Sequence, residues 1–578
     1  MANSLKKRGQ KIVRKFSRIS VKAREEGKEH IKENLIARVS HIRDIKLLIW
    51  EWCLLVAGLV MLAVTQAFWS GSSYAQDVFV NGGSYTEATI GAVNSLNPLF
   101  ATTNSERVLS KLMFSTLTAV DYSGNIGMGL LESLTPDDNG KVWKAVLRHG
   151  LKWSDGEFIS NDDILYTISL LQNPAVSTIY SSSMRNVKVK EEEDASITFT
   201  LPSAYADFAS ALDFPIVPRH ALEDTPANAL IEDEFSQTPV VSGPFMFNAT
   251  QKNTIGDDVT VFLSANPYYY RGKAMLNSFA VHAYSDKDAV VNALNSGAVT
   301  ATAELSGPEA DRVTSDSFIR TDQSINSGAF MFFNMTSDGV KNKELRKAIR
   351  QGLDLINVRT SAPGAVMLDY PLIDSQIKLT NYPKIPAYDF DAAKEKITEL
   401  AGENTINLNI ATVNSGYLPA VAESIKAQLE LLGIDATVTT YEETQDFVGN
   451  VIAKRNYDIL VYEVELGADP DLLPYYHSTQ ASTSGLNLSN YKNAIVDDLL
   501  IGARETLDET LRIRKYESFL NYWVDDVPAI GLYQANMTYI YNKNTRAFGN
   551  NVTLVTPLDR FSDVTTYAAT KATKNKTP

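Results

Sequence analysis

From Leu408 onward the sequence alternates between two periodicities, and this alternation restricts the fold more than any other feature of the chain. Residues 408–413 read as an apolar strand, 418–432 as an amphipathic helix stopped by Gly433, and 434–440 as a second strand. A second helix over 444–455 and a third strand over 457–462 come next. A β-α-β-α-β run requires a mostly parallel sheet with right-handed crossovers. Open sheets of this kind bind ligands beyond the carboxyl ends of their strands. Two loops lie at that edge by topology alone: Asn414-Ser415-Gly416-Tyr417, and the segment 463–474, EVELGADPDLLP.

The length of 578 residues allows two or three domains with ample core. Charge divides the chain into two different objects. Residues 1–46 carry fourteen Lys/Arg against five Asp/Glu, whereas the remainder carries 40 basic and 63 acidic residues. An acidic body lacks the basic face that phosphate binding needs, which argues against nucleic acid as a partner. Cys53 is the single cysteine, so no disulfide framework or cysteine metal site forms within the chain.

Residues 47–69, LLIWEWCLLVAGLVMLAVTQAFW, are apolar apart from Glu51, Thr65 and Gln66. As a helix they are long enough to cross a hydrocarbon core of about 30 Å. The basic arm before them sets the arm on the cytoplasmic side, and Trp50, Trp52 and Trp69 suit the two interfaces. The expectation is a single-pass anchor with the body outside. A cleaved signal peptide, with Ser73-Tyr74-Ala75 as the cut site, is the alternative, although signal apolar regions are shorter. Cys53 has no small-residue lipobox ahead of it. The arm has Ile12, Phe16, Ile19, then Ile31, Leu35, Val39 and Ile42 at helical spacing among its Lys/Arg residues. It either lies on the anionic inner leaflet or is a solvated juxtamembrane segment.

Residues 142–172 read as a strand, a turn at Ser154-Asp155-Gly156, and a helix with Ser160 as N-cap and Asp163 completing a capping box; Ile164, Ile168 and Leu171 share one face. The order Leu147-Arg148-His149-Gly150-Leu151-Lys152-Trp153-Ser154-Asp155-Gly156, then Asp162-Asp163-Ile164, resembles the hallmark of the extracytoplasmic solute-binding proteins of peptide importers, solute-binding protein family 5. Lys144 and Ala145 stand where that family has Thr and Phe.

Further blocks agree in order. Asn97-Pro98-Leu99 and the helix expected over 105–117 resemble the family's opening. Ile216-Val217-Pro218-Arg219-His220, Gly243-Pro244-Phe245, Asn266-Pro267-Tyr268-Tyr269-Tyr270-Arg271-Gly272 and Ala293-Leu294-Asn295-Ser296-Gly297 come after it. Leu345-Arg346-Lys347-Ala348 with Asp354 lie on a helix expected over 342–356, with Leu345, Ile349, Leu353 and Ile356 on its apolar side. Arg346 and Asp354 read as a structural ion pair or cap. The series ends with Asn487 to Leu499 and Arg512 to Leu532, so the resemblance runs from about residue 78 to 560.

The resemblance implies an α/β, two-lobed periplasmic-binding-protein-like fold of type II, with an extra subdomain in lobe I and one transmembrane helix ahead of it. It divides the chain into a basic cytoplasmic arm (1–46), an anchor (47–69), the first part of lobe I (77–330), lobe II (331–527), a return to lobe I (528–565) and a flexible tail (566–578). In peptide-binding members a Trp-x-x-Asp element pairs its Asp with the ligand's α-ammonium. Asp469 takes that role here, with Asp471 beside it and Leu466 in place of the Trp; Asn414, Ser415, Tyr417 and Tyr180 come from loops that line the family's cleft. The residue that receives a ligand carboxylate is not placed.

Catalytic signatures are missing from the sequence: no HExxH helix, no GxSxG elbow, no Walker A loop, and six histidines without metal-ligand spacing. The reading is therefore a non-enzymatic monomer without cofactor or metal. The resemblance implies that it captures peptides for an ABC permease, and the absent Walker A loop that the ATPase is a separate subunit. The same fold binding nickel, haem or a glycan, with His477 near the acidic loop, and a surface sensor without transport role are the alternatives.

Overall fold

The computed structural model describes residues 42–121, 123–252, 258–442, 447–547 and 553–575. Of the basic arm, only 42–46 fall among them. The chain separates into two units, residues 1–78 with 572–578, and Phe79–Lys571.

The first unit contains a 33-residue helix, Ile42–Tyr74. Its segment Ile49–Gln66 is long and apolar enough to cross a membrane, and none of it is buried against protein. A helix satisfies its own backbone groups, so an apolar helix without packing partners suits hydrocarbon better than water. Trp50, Trp52 and Cys53 are exposed; the side chain of Trp69 lies outside the described ones. The Thr65 hydroxyl is satisfied within the helix, donating to Met61 O at 2.8 Å.

The second unit is built on one long sheet. Apart from the short strand Val366–Met367, which pairs with the last of them, its strands in chain order are β1 (Ser84–Ile90), β2 (Phe245–Lys252), β3 (Val259–Ala265), β4 (Ser278–Tyr284), β5 (Ala301–Thr302), β6 (Phe318–Phe333), β7 (Ile406–Val413), β8 (Ile434–Tyr441), β9 (Ile459–Glu465) and β10 (Ala529–Asn542). They lie side by side in the order β8-β7-β9-β6-β10-β5-β1-β4-β3-β2. The alternation from Leu408 onward gives the expected parallel pairs: β7 pairs in parallel with β8 and with β9. The helix Leu418–Leu431 crosses between β7 and β8, and Gly433 stops it at a φ of 88°. The helix expected over 444–455 is a π-helix over Phe447–Ile452, and 443–446 lie outside the described residues.

Two strands join two cores. β6 pairs antiparallel with β10 along almost its whole length, with a break in register between Ser324 and Gly328. On one side of the break Ile325, Ala535, Met537 and Tyr539 belong to a core with Leu109, Trp153, Phe199 and Phe279. On the other side, Ala329 to Phe333 and Ala529 to Tyr533 belong to a core with Ile410, Ile425, Leu460 and Trp523. The apolar run Phe330 to Phe333 is covered on both faces, which is why it does not alternate. This is the two-lobed α/β architecture, with β6 and β10 as the connecting strands. A four-stranded antiparallel sheet of Leu131–Asp137, Val142–Leu147, Ile197–Thr200 and Lys188–Glu191 forms the extra subdomain of lobe I.

Four of the hallmark residues, Trp153, Ser154, Asp155 and Asp163, build this subdomain's joint. Asp163 accepts from Ser160 N at 2.9 Å, from Trp153 Nε1 at 3.3 Å and from Arg219 N at 2.8 Å. Trp153 is fully buried, Ser154 accepts from Val241 N, and His220 meets Asp155 at 2.9 Å.

Four local expectations change. The helix expected over 105–117 is Asn104–Met113, because Phe114 turns extended and Ser115 exchanges hydrogen bonds with Ser242. The helix expected over 342–356 breaks into Lys343–Gly352 and Leu355–Arg359. Extended backbone at Leu353 redirects the chain, Asp354 caps the new helix through Asn357 N, and Ile356 is exposed rather than packed. Arg346 makes no pair with Asp354; buried, it donates to the carbonyls of Val340, Lys341, Asp526 and Val527. The stretch expected to be a flexible tail contains the strand Thr570–Asn575.

Candidate functional site

Two adjoining cavities of about 420 and 390 Å³ lie between the lobes, sharing Asn104, Ala303, Glu304 and Pro557 on their walls. Each falls within the roughly 300–1,000 Å³ of small-ligand pockets.

The lobe I wall is chiefly the helix Asn104–Met113. Thr103 and Glu106 form its capping box, and Glu106 also accepts from Asn94 N, Ser95 N and Thr102 N at 2.8, 3.3 and 2.8 Å. One carboxylate thus ties the Asn-Pro block to the helix start. At the other end Ser242 N and Gly243 N both donate to Met113 O. A side chain at Gly243 would come within 2.4 Å of the Met113 backbone, so only glycine fits there. Held at both ends, the helix presents Asn104, Arg107, Val108 and Lys111 to the larger cavity.

Tyr180 and Asp213 stand beside these cations. Burial raises the Tyr180 phenol above its ordinary value, with Asp213 adding to the shift and Arg107 and Lys111 opposing it. Lys111 reaches Asp559 at 3.7 Å. Arg560, almost fully buried on the same wall, is committed to Glu87: Nε donates to Oε1 at 2.8 Å and Nη2 lies 2.6 Å away, while Tyr539 donates to Oε2 at 3.0 Å. Burial also raises Glu304, although Asn104 Nδ2 donates to it at 3.1 Å.

The lobe II wall comes from the two loops at the sheet's carboxyl edge. Ser415, Gly416, Tyr417 and Glu463 line the smaller cavity; Glu465, Gly467 and Ala468 line the larger. The Tyr417 ring lies against Gly307 of lobe I, where a Cβ would be 2.7 Å from Cε1. Gly307 has a φ of 51°, so its lack of a side chain is required twice over. Asn414 turns away, its Nδ2 donating to Glu442 at 3.0 Å.

Asp469 and Asp471 also point away from the cavities. Asp469 is held bidentately by Arg512, Nη1 to Oδ1 at 2.8 Å and Nη2 to Oδ2 at 2.6 Å, with both side chains 13% exposed. Asp471 accepts from Arg504 Nε at 3.0 Å and from its Nη2. The loop's backbone is fixed separately, as Asn326 and Gln376 donate to Gly467 O at 2.9 and 3.0 Å. Leu466, in the place of the expected Trp, is buried.

These two pairs sit on a seam between the lobes. Ala206 N of the lobe I subdomain donates to Arg504 O at 2.8 Å, and the Arg504 guanidinium lies 5.3 Å from the Tyr205 ring centre. Asp207 is carried into the same seam, its Oδ2 buried without a hydrogen-bond partner. Burial lifts its carboxyl well above the ordinary range; Asp469 and Asp471 add to that, and Arg512 opposes it. Burial raises Asp469 as well, against its bond to Arg512.

Of the six residues the sequence points to, the structure brings Tyr180, Ser415 and Tyr417 to the cavities. It places Asn414, Asp469 and Asp471 in contacts with other side chains. Sequence reading missed Arg107, Lys111, Asp213 and Glu304, whereas Glu465 lies on the loop 463–474 that topology picks out. The i, i+4 spacing of Arg107 and Lys111 was the available signal for the first two.

The comparisons with known proteins match this geometry. A profile of bacterial extracellular solute-binding proteins, family 5 (middle region), matches residues 125–486. The oligopeptide-binding protein AppA of Bacillus subtilis is 26% identical over 484 residues, covering 79% of this chain and 87% of AppA. The structure of AppA with a nonapeptide superposes with a TM-score of 0.68 at 22% identity, over 85% of this chain and 99% of AppA. The ABC transporter substrate-binding protein CtaP of Listeria monocytogenes gives a TM-score of 0.75 at 21% identity, over 85% of this chain and all of CtaP.

Proposed function

Because the chain belongs to the bacterial extracellular solute-binding proteins, family 5, we propose that it captures short peptides between its lobes and delivers them to an ABC importer. The observation that carries this reading is the pair of adjoining interlobe cavities at the carboxyl edge of a parallel sheet, with the two lobes connected by β6 and β10. A solute that touches both walls binds the closed form more tightly than the open one, and that difference in affinity is what drives closure. An extended peptide is held mainly through its backbone, so one cleft accepts varied sequences.

On this reading Tyr180, Ser415 and Tyr417 contact the peptide. Asp469 and Asp471 brace the loop 463–474 through Arg512 and Arg504, so that Gly467 and Ala468 keep their place on the wall. The protein binds its solute without transforming it. The helix over 47–69 anchors a monomer with its body outside the cytoplasm. Permease and ATPase are separate chains.

Isothermal titration of the full chain in detergent with defined di- to nonapeptides tests the reading. Heat with at least one length class is expected. Absence of heat with all of them, together with heat from Ni(II)-histidine or a glycan, would overturn the choice of solute.

A further inference from the structure

The cations on the wall of the larger cavity are unequal. Lys111 faces Asp559, and Arg560 is committed to Glu87. Arg107 has no such commitment. Among the described residues no carboxylate lies within ion-pair range of it, and its Nε is buried without a hydrogen-bond partner. A guanidinium has five donors in a rigid fork and cannot lose its charge, so a half-buried one lining a cavity with its Nε buried and unmatched is completed by an anion from outside the chain. Its position is fixed, because the helix Asn104–Met113 is pinned at both ends by Glu106 and by Ser242-Gly243. Across the cavity, Glu465 on lobe II and Asp213 beside Tyr180 supply negative charge to the same space.

We propose that Arg107 receives a carboxylate of the bound solute, through its fork, in the cavity it shares with Tyr180. The inference rests on the peptide reading above and deepens it: the cleft recognises a solute carrying at least one free carboxylate on its lobe I side. Lobe I then holds the anionic group before closure, and Glu465 of lobe II approaches a cationic or neutral part of the same solute as the lobes meet. Two sources supply such a carboxylate, a peptide's C-terminus and an acidic side chain.

The test uses full-length protein in detergent and three probes: tetraalanine, tetraalanine amide, and the amide of Ala-Ala-Asp-Ala. Wild type is expected to bind one or both carboxylate-bearing probes about 100-fold more tightly than tetraalanine amide, the scale of a desolvated charge pair. Preference for tetraalanine assigns the C-terminus; preference for the aspartyl amide assigns a side chain. Arg107→Gln should erase that preference with an unchanged thermal midpoint, and Arg107→Lys should restore part of it. Equal affinity of wild type for all three probes, or a full preference kept by Arg107→Gln, overturns the role of Arg107 and leaves the peptide reading standing. Failure of wild type to bind any of the three probes overturns the carboxylate site proposed here, whereas the peptide reading falls only if the di- to nonapeptides also give no heat. The wild-type comparison requires no variant, so it decides whether the cleft recognises a carboxylate even if Arg107→Gln fails to fold, and Arg107→Lys, which keeps the charge but loses the fork, then tests the assignment to Arg107.

Discussion

Replacing Asp469 by Asn separates two roles that the chain's resemblance and its geometry assign differently. If Asp469 met the ammonium of a peptide, the variant would lose affinity and keep its stability. The geometry gives the opposite expectation, since Arg512 occupies both carboxylate oxygens. Removing one partner of a fully buried pair costs about 3–5 kcal/mol. Arg512 retains Ala503 O at 3.1 Å and Tyr516 Oη at 3.5 Å. The substituted amide can still accept one hydrogen bond, so the loss here is about 2–3 kcal/mol. Lobe II has about 200 residues and an unfolding entropy near 2.1 cal/mol/K per residue, about 0.4 kcal/mol/K in total, which converts the loss into about 5–7 °C of melting temperature. Calorimetry of wild type and Asp469→Asn measures this directly, and titration with the best-bound peptide completes the comparison. An affinity within about threefold of wild type is expected. An unchanged midpoint with affinity lost about a hundredfold would refute the bracing role.

Three further outcomes rest on particular contacts. Asp207 is raised by burial first and then by Asp469 and Asp471, with Arg512 opposing; Arg504 and Tyr205 share the seam. The closed seam therefore holds a proton that an open, solvated Asp207 releases. Closure is favoured as pH falls through the raised value and weakened as pH rises from the usual carboxylate range. Peptide affinity should decline as pH rises above the usual carboxylate range, and Asp207→Asn should flatten the slope; a slope that survives the substitution contradicts this. Gly307→Val inserts a side chain into the Tyr417 ring and strains a left-handed backbone. Titration should show peptide affinity at least about tenfold weaker, and unaltered affinity would mean that the ring contact does not belong to the closed form. Glu87→Gln leaves Arg560 uncompensated in a fully buried site and should cost about 3–5 kcal/mol by denaturant unfolding, whereas the double change Glu87→Met with Arg560→Met should cost much less. Equal losses in the single and double variants would exclude the charge explanation.

The parallel sheet and its two edge loops were legible because strand and helix periods alternate strictly after Leu408, and topology then fixes which loops lie at the carboxyl edge. Ser415 and Tyr417 are found that way. Asp469 is misplaced by sequence because a carboxylate's partner is a tertiary fact: Arg512 lies 43 positions away on another helix. Arg107 escapes sequence reading for the opposite reason. Its helix is visible, but which face meets the cleft depends on capping by Thr103 and Glu106 and on the clamp at Met113. The break after Gly352 is hidden as well. The apolar spacing runs on through Ile356, while Gly352 is pressed against Ala393 and Leu432, so close packing rather than periodicity ends that helix.

Closure of two lobes about β6 and β10 on a captured peptide is tested most directly by a distance across the cleft mouth. Spin labels at Asp311→Cys on lobe I and Glu423→Cys on lobe II, in a Cys53→Ala background, flank the Gly307–Tyr417 contact on exposed positions. Pulsed dipolar spectroscopy should show a longer, broader distribution without peptide that collapses to one shorter distance, with half-saturation at the calorimetric Kd. A distribution that saturating peptide leaves unchanged contradicts the account.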